Sequence, residues 1–170
     1  MELIDLIPVF NLYEEFWKIY TKSEKIPPQF VAADAVVDKA IIGEASEIYG
    51  EVHNSVIGSG VTIEEGAIVR DSIIMGSTTI GSGTVVDKSI IAENVTVGAN
   101  CKLGVGDEVP NKVKPDVYAF GLVTIGEDSV IPDNVTIGKN TAISGVTDIS
   151  DYPNNTLAGG ETLIKVGDRA

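Results

Sequence analysis

The stretch IGSGVTIEEGAIVRDSIIMGSTTIGSGTVVDKSIIAENVTVGANCKL, spanning Ile57 to Leu103, repeats itself with a period of seventeen, in steps of six, six and five. Ile57, Ile63 and Val69 are followed by Ile74, Ile80 and Val86, then by Ile91, Val97 and Leu103. Aliphatics at this spacing fit neither the helical period nor the alternation of a long strand. They fit a three-sided coil in which each short side points one aliphatic inward, and successive coils stack. The expected fold is therefore all-β, a parallel β-helix of the hexapeptide-repeat type with three-sided coils.

The corners agree. Four positions after most of these aliphatics stands a residue small enough to sit inside a corner: Val61, Ala67, Thr84, Val95 and Cys101. The position before it is often Gly or Asn, as at Gly60, Gly66, Gly83, Asn94 and Asn100. These residue types tolerate the left-handed backbone that a tight corner demands. Ser77 stands at one such position without that tolerance.

Working outward, Val31, Val37, Ile42 and Ile48 extend the pattern toward the N-terminus. The step from Ile42 to Ile57 is two positions shorter than the step from Ile57 to Ile74, which places a deletion at the corner Tyr49-Gly50-Glu51. After Leu103 the pattern stops. Residues 105–121 form an excursion containing Pro110, Pro115, Tyr118 and Phe120, and the hexads resume at Ile125, Ile131, Ile137 and Ile143. A loop of that length within a compact array is usually functional or packs on a neighbour. The expected organisation is a linker with short helices over 1–30, a β-helix domain over 31–170, and a C-terminal cap over 147–170, since terminal coils need covering.

Stacking also predicts which polar residues meet. Asp38, His53, Arg70 and Asp87 should form one column, and Lys39, Asn54, Asp71 and Lys88 the next. Arg70 would then neighbour Asp87, and Asp71 would neighbour Lys88. Thr62, Thr79 and Thr96 make a third ladder.

Composition narrows the function. A net charge of −13 with only 12 scattered Lys and Arg argues against nucleic acid or an anionic membrane as partner, because phosphates are held by clustered cations. No apolar run is long enough to span a bilayer, and the cytoplasm is the expected compartment. The single Cys and single His exclude a disulfide framework, a Cys-rich zinc site and a three-histidine zinc enzyme. Cys101 shares the coil position of Ala67 and Thr84, so it reads as a small core residue rather than a nucleophile. His53, flanked by Asp38 and Arg70, reads as a surface rung. It could instead serve as the general base of a hexapeptide acyltransferase.

Four segments outside or across the repeat are more specific. PVFNLYEEFWKIYT (Pro8 to Thr21), IPPQFV (26–31), DSIIMG (71–76) and GLVTIGEDSVIP (121–132) resemble the carboxy-terminal region of glucose-1-phosphate adenylyltransferase, also called ADP-glucose pyrophosphorylase. The resemblance covers essentially the whole chain and implies that the β-helix is left-handed. It further implies an amino-terminal nucleotidyltransferase domain that makes ADP-glucose for glycogen synthesis from ATP and glucose 1-phosphate with magnesium. Nothing in this chain resembles that domain's Gly-rich loop, its sugar-phosphate lysine or its metal-binding aspartates. No catalytic and no metal-binding residue is therefore assigned here, and Mg and ATP belong to the missing domain.

What the resemblance implies for these residues is regulation and assembly, with the nucleotidyltransferase domain and further copies of the subunit as partners. Anionic effectors would be met by basic side chains: Arg70, Lys88 and Lys102 on the coils, and Lys112 and Lys114 in the excursion. The chain alone would be inert. The alternatives are an acyltransferase using His53 and a scaffold without a ligand.

Overall fold

A computed structural model describes residues 25–165, together with Ile4, Val9 and Phe16. The short helices expected between residues 1 and 24 lie outside the described residues. From Phe30 onward the chain winds as a three-sided parallel β-helix, and every paired strand in it is parallel.

The first side is a six-stranded ladder of Phe30–Val31, Glu47–Ile48, Thr62–Ile63, Thr79–Ile80, Thr96–Val97 and Val130–Ile131. The second side carries Ile68–Arg70, Val85–Asp87, Lys102–Val105, Thr136–Gly138 and Thr156–Leu157, and the third carries Ile73–Ile74, Ser89–Ile91, Val123–Ile125, Thr141–Ser144 and Thr162–Ile164. Val36–Ile42 and Glu51–Ile57 run through the corner between these two sides and so belong to both. The strand register reproduces the sequence repeat: Ile57 faces Ile74, Ile63 faces Ile80 and Val69 faces Val86.

The inward aliphatics are sealed. Ile48, Val52, Ile63, Val69, Ile80, Val86, Ile91 and Leu103 are all fully buried, each contributing about 1.5–3 kcal/mol of burial. The predicted corner residues Val61, Ala67, Thr84, Val95 and Cys101 are buried beside them. Gly60, Gly66, Gly83, Asn94 and Asn100 adopt positive φ as expected, and Ser77 does so too at φ 56°. Tyr152 fills the upper end of the core, with its hydroxyl 2.8 Å from Thr147 Oγ1. At the lower end Val31 and Val37 are 44% and 40% exposed although they occupy inward positions of the repeat.

The short coil closes where expected. The step from Glu47 to its partner Thr62 is two positions shorter than the step from Glu51 to its partner Ile68, so the deletion falls between Ile48 and Glu51. Gly50 is buried there, and a Cβ on it would lie 2.3 Å from the Ala67 carbonyl oxygen. The tightened corner leaves no room for a side chain.

A hydroxyl column that the repeat did not announce fastens the corner between the second and third sides. Ser55, Ser72 and Ser89 are buried, and their Oγ atoms donate to the carbonyls of His53, Arg70 and Asp87 at 2.7, 2.7 and 2.9 Å. The first two also accept from the coil above: Ser72 N–H reaches Ser55 Oγ, and Ser89 N–H reaches Ser72 Oγ. The corner residues just before these serines, Asn54, Asp71 and Lys88, all have positive φ. Asn adopts that conformation readily, whereas for Lys88 it costs about 1–2 kcal/mol.

The excursion is an insertion of one repeat length that does not coil. Ser89–Ile91 pairs directly with Val123–Ile125, two repeat lengths on, and Lys102 pairs with Thr136 across the same interval. The chain leaves the stack after Lys102–Val105 and crosses the corner of the later coils before returning at Val123.

Candidate functional site

Four of the five basic residues expected to meet an anion, Arg70, Lys88, Lys112 and Lys114, lie at or near the corner between the second and third sides, whereas Lys102 stands at the start of a second-side strand. Arg70 ends a strand there, half exposed, with its Nε 3.8 Å from Asp87 Oδ1, so the predicted neighbours do meet. Lys88 is exposed on the corner one coil above, its N–H donating to the Arg70 carbonyl at 3.2 Å. Its own carbonyl accepts from Val123 N–H, the first strand residue after the excursion. Lys102 is exposed on the strand that leads into the excursion, in register with Val85 below and Thr136 above.

Lys112 and Lys114 sit higher, on the excursion. Lys112 pairs with Glu161, and its N–H donates to the Gly160 carbonyl at 2.8 Å. The coil of Arg70 and the coil of Gly160 are four rungs apart, roughly 19 Å at the usual strand spacing. The structure thus brings Arg70 and Lys88 onto successive coils and Lys112 and Lys114 onto one loop, and it keeps these two groups apart.

Acidic side chains interrupt the edge. Asp87 faces Arg70, Glu161 holds Lys112, and the Asp71 carboxylate accepts from the Asn54 amide. The pairing expected between Asp71 and Lys88 does not form among the described residues. The Asp71 carboxylate instead accepts from the neutral Asn54 amide on the coil below.

Two asparagines that sequence reasoning passed over hold the excursion in place. Asn140, 3% exposed, donates from Nδ2 to the Val109 carbonyl at 2.8 Å and accepts from Gly121 N–H at 2.7 Å, so one side chain ties both ends of the insertion. Asn111, 2% exposed, donates to the Asn140 carbonyl at 2.8 Å and accepts from the N–H groups of Val113 and Lys114 at 2.9 Å each. Lys112 and Lys114 are thereby presented from an ordered loop. Asn140 occupies a corner like Asn94 and Asn100, with φ 56°, which was its one legible signal.

The two residues with tempting chemistry are otherwise engaged. His53 Nε2 lies 3.2 Å from Glu51 Oε2 on the same strand, in the rung between Asp38 and Arg70. Cys101 is fully buried with Sγ 3.2 Å from the Pro132 carbonyl, and burial pushes its thiol pKa up. That is a core thiol rather than a thiolate nucleophile. Near the C-terminus Lys165 joins Asp151 and Asp148, and the hydrogen bond to Asp151 raises its pKa.

An open groove of about 290 Å³ lies on the third side between Tyr118 of the excursion and the strands bearing Thr124, Ala142, Ser144 and Ile164. Its lining is mostly apolar and carries no charge. Among the described residues no group of three or more His, Cys, Asp or Glu is disposed to hold a metal ion, and no helix is long and apolar enough to cross a membrane.

A family model described as the GMPPB C-terminal domain matches residues 50–118. The glucose-1-phosphate adenylyltransferase of Lachnospira eligens is 64% identical over 99% of this chain, which corresponds to 40% of that protein. That of Acetivibrio thermocellus is 39% identical over 99% of this chain and 39% of its own length. That of Thermosipho melanesiensis is 58% identical over 74% of this chain and 31% of its own length. Among solved structures, the acetyltransferase domain of PglB from Neisseria gonorrhoeae, in complex with acetyl coenzyme A, matches with a TM-score of 0.42 at 19% identity, covering 81% of this chain and 55% of that one. The chain spans about 40% of the length of the first of these relatives.

Proposed function

We propose that this chain, homologous to the glucose-1-phosphate adenylyltransferases along 99% of its length, is the carboxy-terminal β-helix of such an enzyme and serves it in regulation and assembly. One observation carries the reading: identity reaches 64% over nearly every residue here and yet accounts for only 40% of the relative. The transfer of an adenylyl group from ATP to glucose 1-phosphate, and the magnesium it implies, are assigned to the remaining part. The partners are the nucleotidyltransferase domain and further copies of the subunit, and the compartment is the cytoplasm.

Regulation is assigned to the edge between the second and third sides. An anionic effector would meet Lys88 and Arg70 at its lower part, with Lys102 above, or Lys112 and Lys114 on the excursion. The backbone that carries these cations is locked by serine and asparagine hydrogen bonds, so binding orders their side chains rather than the loops.

The test is complementation. This chain is added to a separately produced nucleotidyltransferase domain, and ADP-glucose formed from ATP and glucose 1-phosphate is measured. A rate that rises on addition supports the reading, and a rate indifferent to this chain overturns it.

A further inference from the structure

The turn by which the chain leaves the excursion runs against its own sequence. Leu122 N–H donates to the Ala119 carbonyl at 3.2 Å, and the two residues between them, Phe120 and Gly121, have φ of 62° and 75°. Positive φ at both central positions marks a type I′ turn, which favours Asn followed by Gly. A bulky side chain at the first of these positions is strained. Burial does not offset the strain, since Phe120 is 82% exposed. The turn is nevertheless held firmly, because Gly121 N–H donates to the buried Asn140 Oδ1 at 2.7 Å. A strained residue kept in place by its surroundings, with no gain to the fold, points to a function.

Its neighbours share its character. Val109, Val113 and Val117 of the same excursion are exposed, and Tyr118, two residues back, forms one wall of the uncharged groove of about 290 Å³. Residues 105–121 carry three acidic and two basic side chains, whereas the whole chain has a net charge of −13. The excursion is therefore a nearly neutral, apolar part of a strongly acidic molecule.

We infer that the excursion is a self-association surface about a two-fold axis, in which Phe120 of each copy enters the groove beside Tyr118 of the other. This deepens the assembly role proposed above, on which it rests for the identity of the partner. A knob and a hole side by side on one surface suit a two-fold interface, because the same patch must serve both copies. Charge favours a second copy as well. Two chains of net −13 repel each other least where their own charges nearly cancel, and the excursion is such a place. Phe120, Tyr118 and the three valines cover less than the ~800 Å² per partner of a stable complex, so free chains should pair with a dissociation constant on the order of micromolar.

Sedimentation equilibrium of this chain tests the interface. The dissociation constant of the dimer is expected to fall as salt is raised, because the contact is apolar and screening relieves the repulsion between copies. Phe120→Asn is expected to raise that constant at least ~tenfold. The same change should raise the melting temperature of the monomer by about 2–4 °C, since Asn suits the turn. Thr124→Arg, which places a charge in the groove, should weaken the dimer to a similar degree. An equimolar mixture of these two variants should associate more tightly than either alone, because one intact Phe120 then meets one intact groove. Val31→Lys, at the lower end of the stack, should leave the dimer unchanged.

A chain that stays monomeric well above micromolar concentration overturns the inference. So does a dimer indifferent to Phe120→Asn, a dimer lost in Val31→Lys, or a mixture no tighter than its parts. A lowered melting temperature in Phe120→Asn overturns it too, because the residue then serves the fold. ADP-glucose synthesis by the polypeptide that joins this chain to the nucleotidyltransferase domain is assayed alongside. An inactive joined polypeptide, with a dimer that responds to Phe120→Asn, points to failure of the functional reading and supports the interface. An active one, with this chain monomeric, overturns the interface alone.

Discussion

Asn140, a residue that the repeat left unmarked, ties with one amide both the outgoing and the returning end of the excursion, and it is nearly sealed from water. Asn140→Ala leaves the Val109 carbonyl and the Gly121 N–H without partners, at a cost of about 1–3 kcal/mol for each group that stays buried. Urea denaturation should show the lowered midpoint, and proteolysis should then cut between residues 105 and 121 first. Cys101 sets a different dependence. Burial raises its pKa, so the folded state favours the neutral thiol; its contribution is complete below the ordinary value of 9.0 and is lost as pH rises from there through the raised folded value. Between about pH 8 and pH 10 the wild-type protein should lose more melting temperature than Cys101→Ala, and equal losses in both would contradict this account.

At the scale of single coils, the tightened corner makes a sharp prediction. Gly50→Ala drives a methyl group to within 2.3 Å of the Ala67 carbonyl oxygen and 2.7 Å of that of Glu64, and the stack cannot yield without shifting a ladder. We expect about 2–3 kcal/mol of destabilisation by chemical denaturation. The same coil pattern predicts that identical chemistry has unequal cost along the stack. Ile80→Ala, in the sealed middle, should cost about 2–5 kcal/mol, whereas Val31→Ala at the open lower rung, 44% exposed, should cost under ~1 kcal/mol. Comparable losses at the two positions would mean that the lower rung is covered. The elements themselves were legible because an inward aliphatic at every fifth or sixth position suits a three-sided coil and neither a helix nor a long strand. The serine column was not, since Ser55, Ser72 and Ser89 resemble ordinary corner residues until the stacked backbone brings each hydroxyl under the next N–H.

For the whole molecule, the candidate effector edge is a property of stacking. Arg70 and Lys88 lie on successive coils and are joined through a backbone hydrogen bond. Loss of one charge-assisted hydrogen bond is worth about 1.5 kcal/mol, so Lys88→Gln in the joined enzyme should raise the half-maximal concentration of an anionic effector about tenfold. Lys114→Gln, on the separate group, should not shift in parallel if the effector sits at the lower group. The reverse result would move the site to the excursion. Arg70→Ala should change stability by less than about 1 kcal/mol, as an exposed pair contributes little.

The sequence by itself determined the three-sided coiling, the corners, the short coil and the burial of Cys101, because each follows from local spacing: one inward side chain per side and one left-handed residue per corner. It also carried the resemblance that the relatives bear out, through segments where the repeat is interrupted. Tertiary structure alone decided that the excursion is pinned by Asn140 and Asn111, and that Asp71 goes to Asn54 rather than Lys88. Those facts depend on side chains far apart in sequence lying side by side, as Asn54 does with Asp71 and Asn111 with Thr162. No local period encodes which way a corner side chain turns once the coils have stacked.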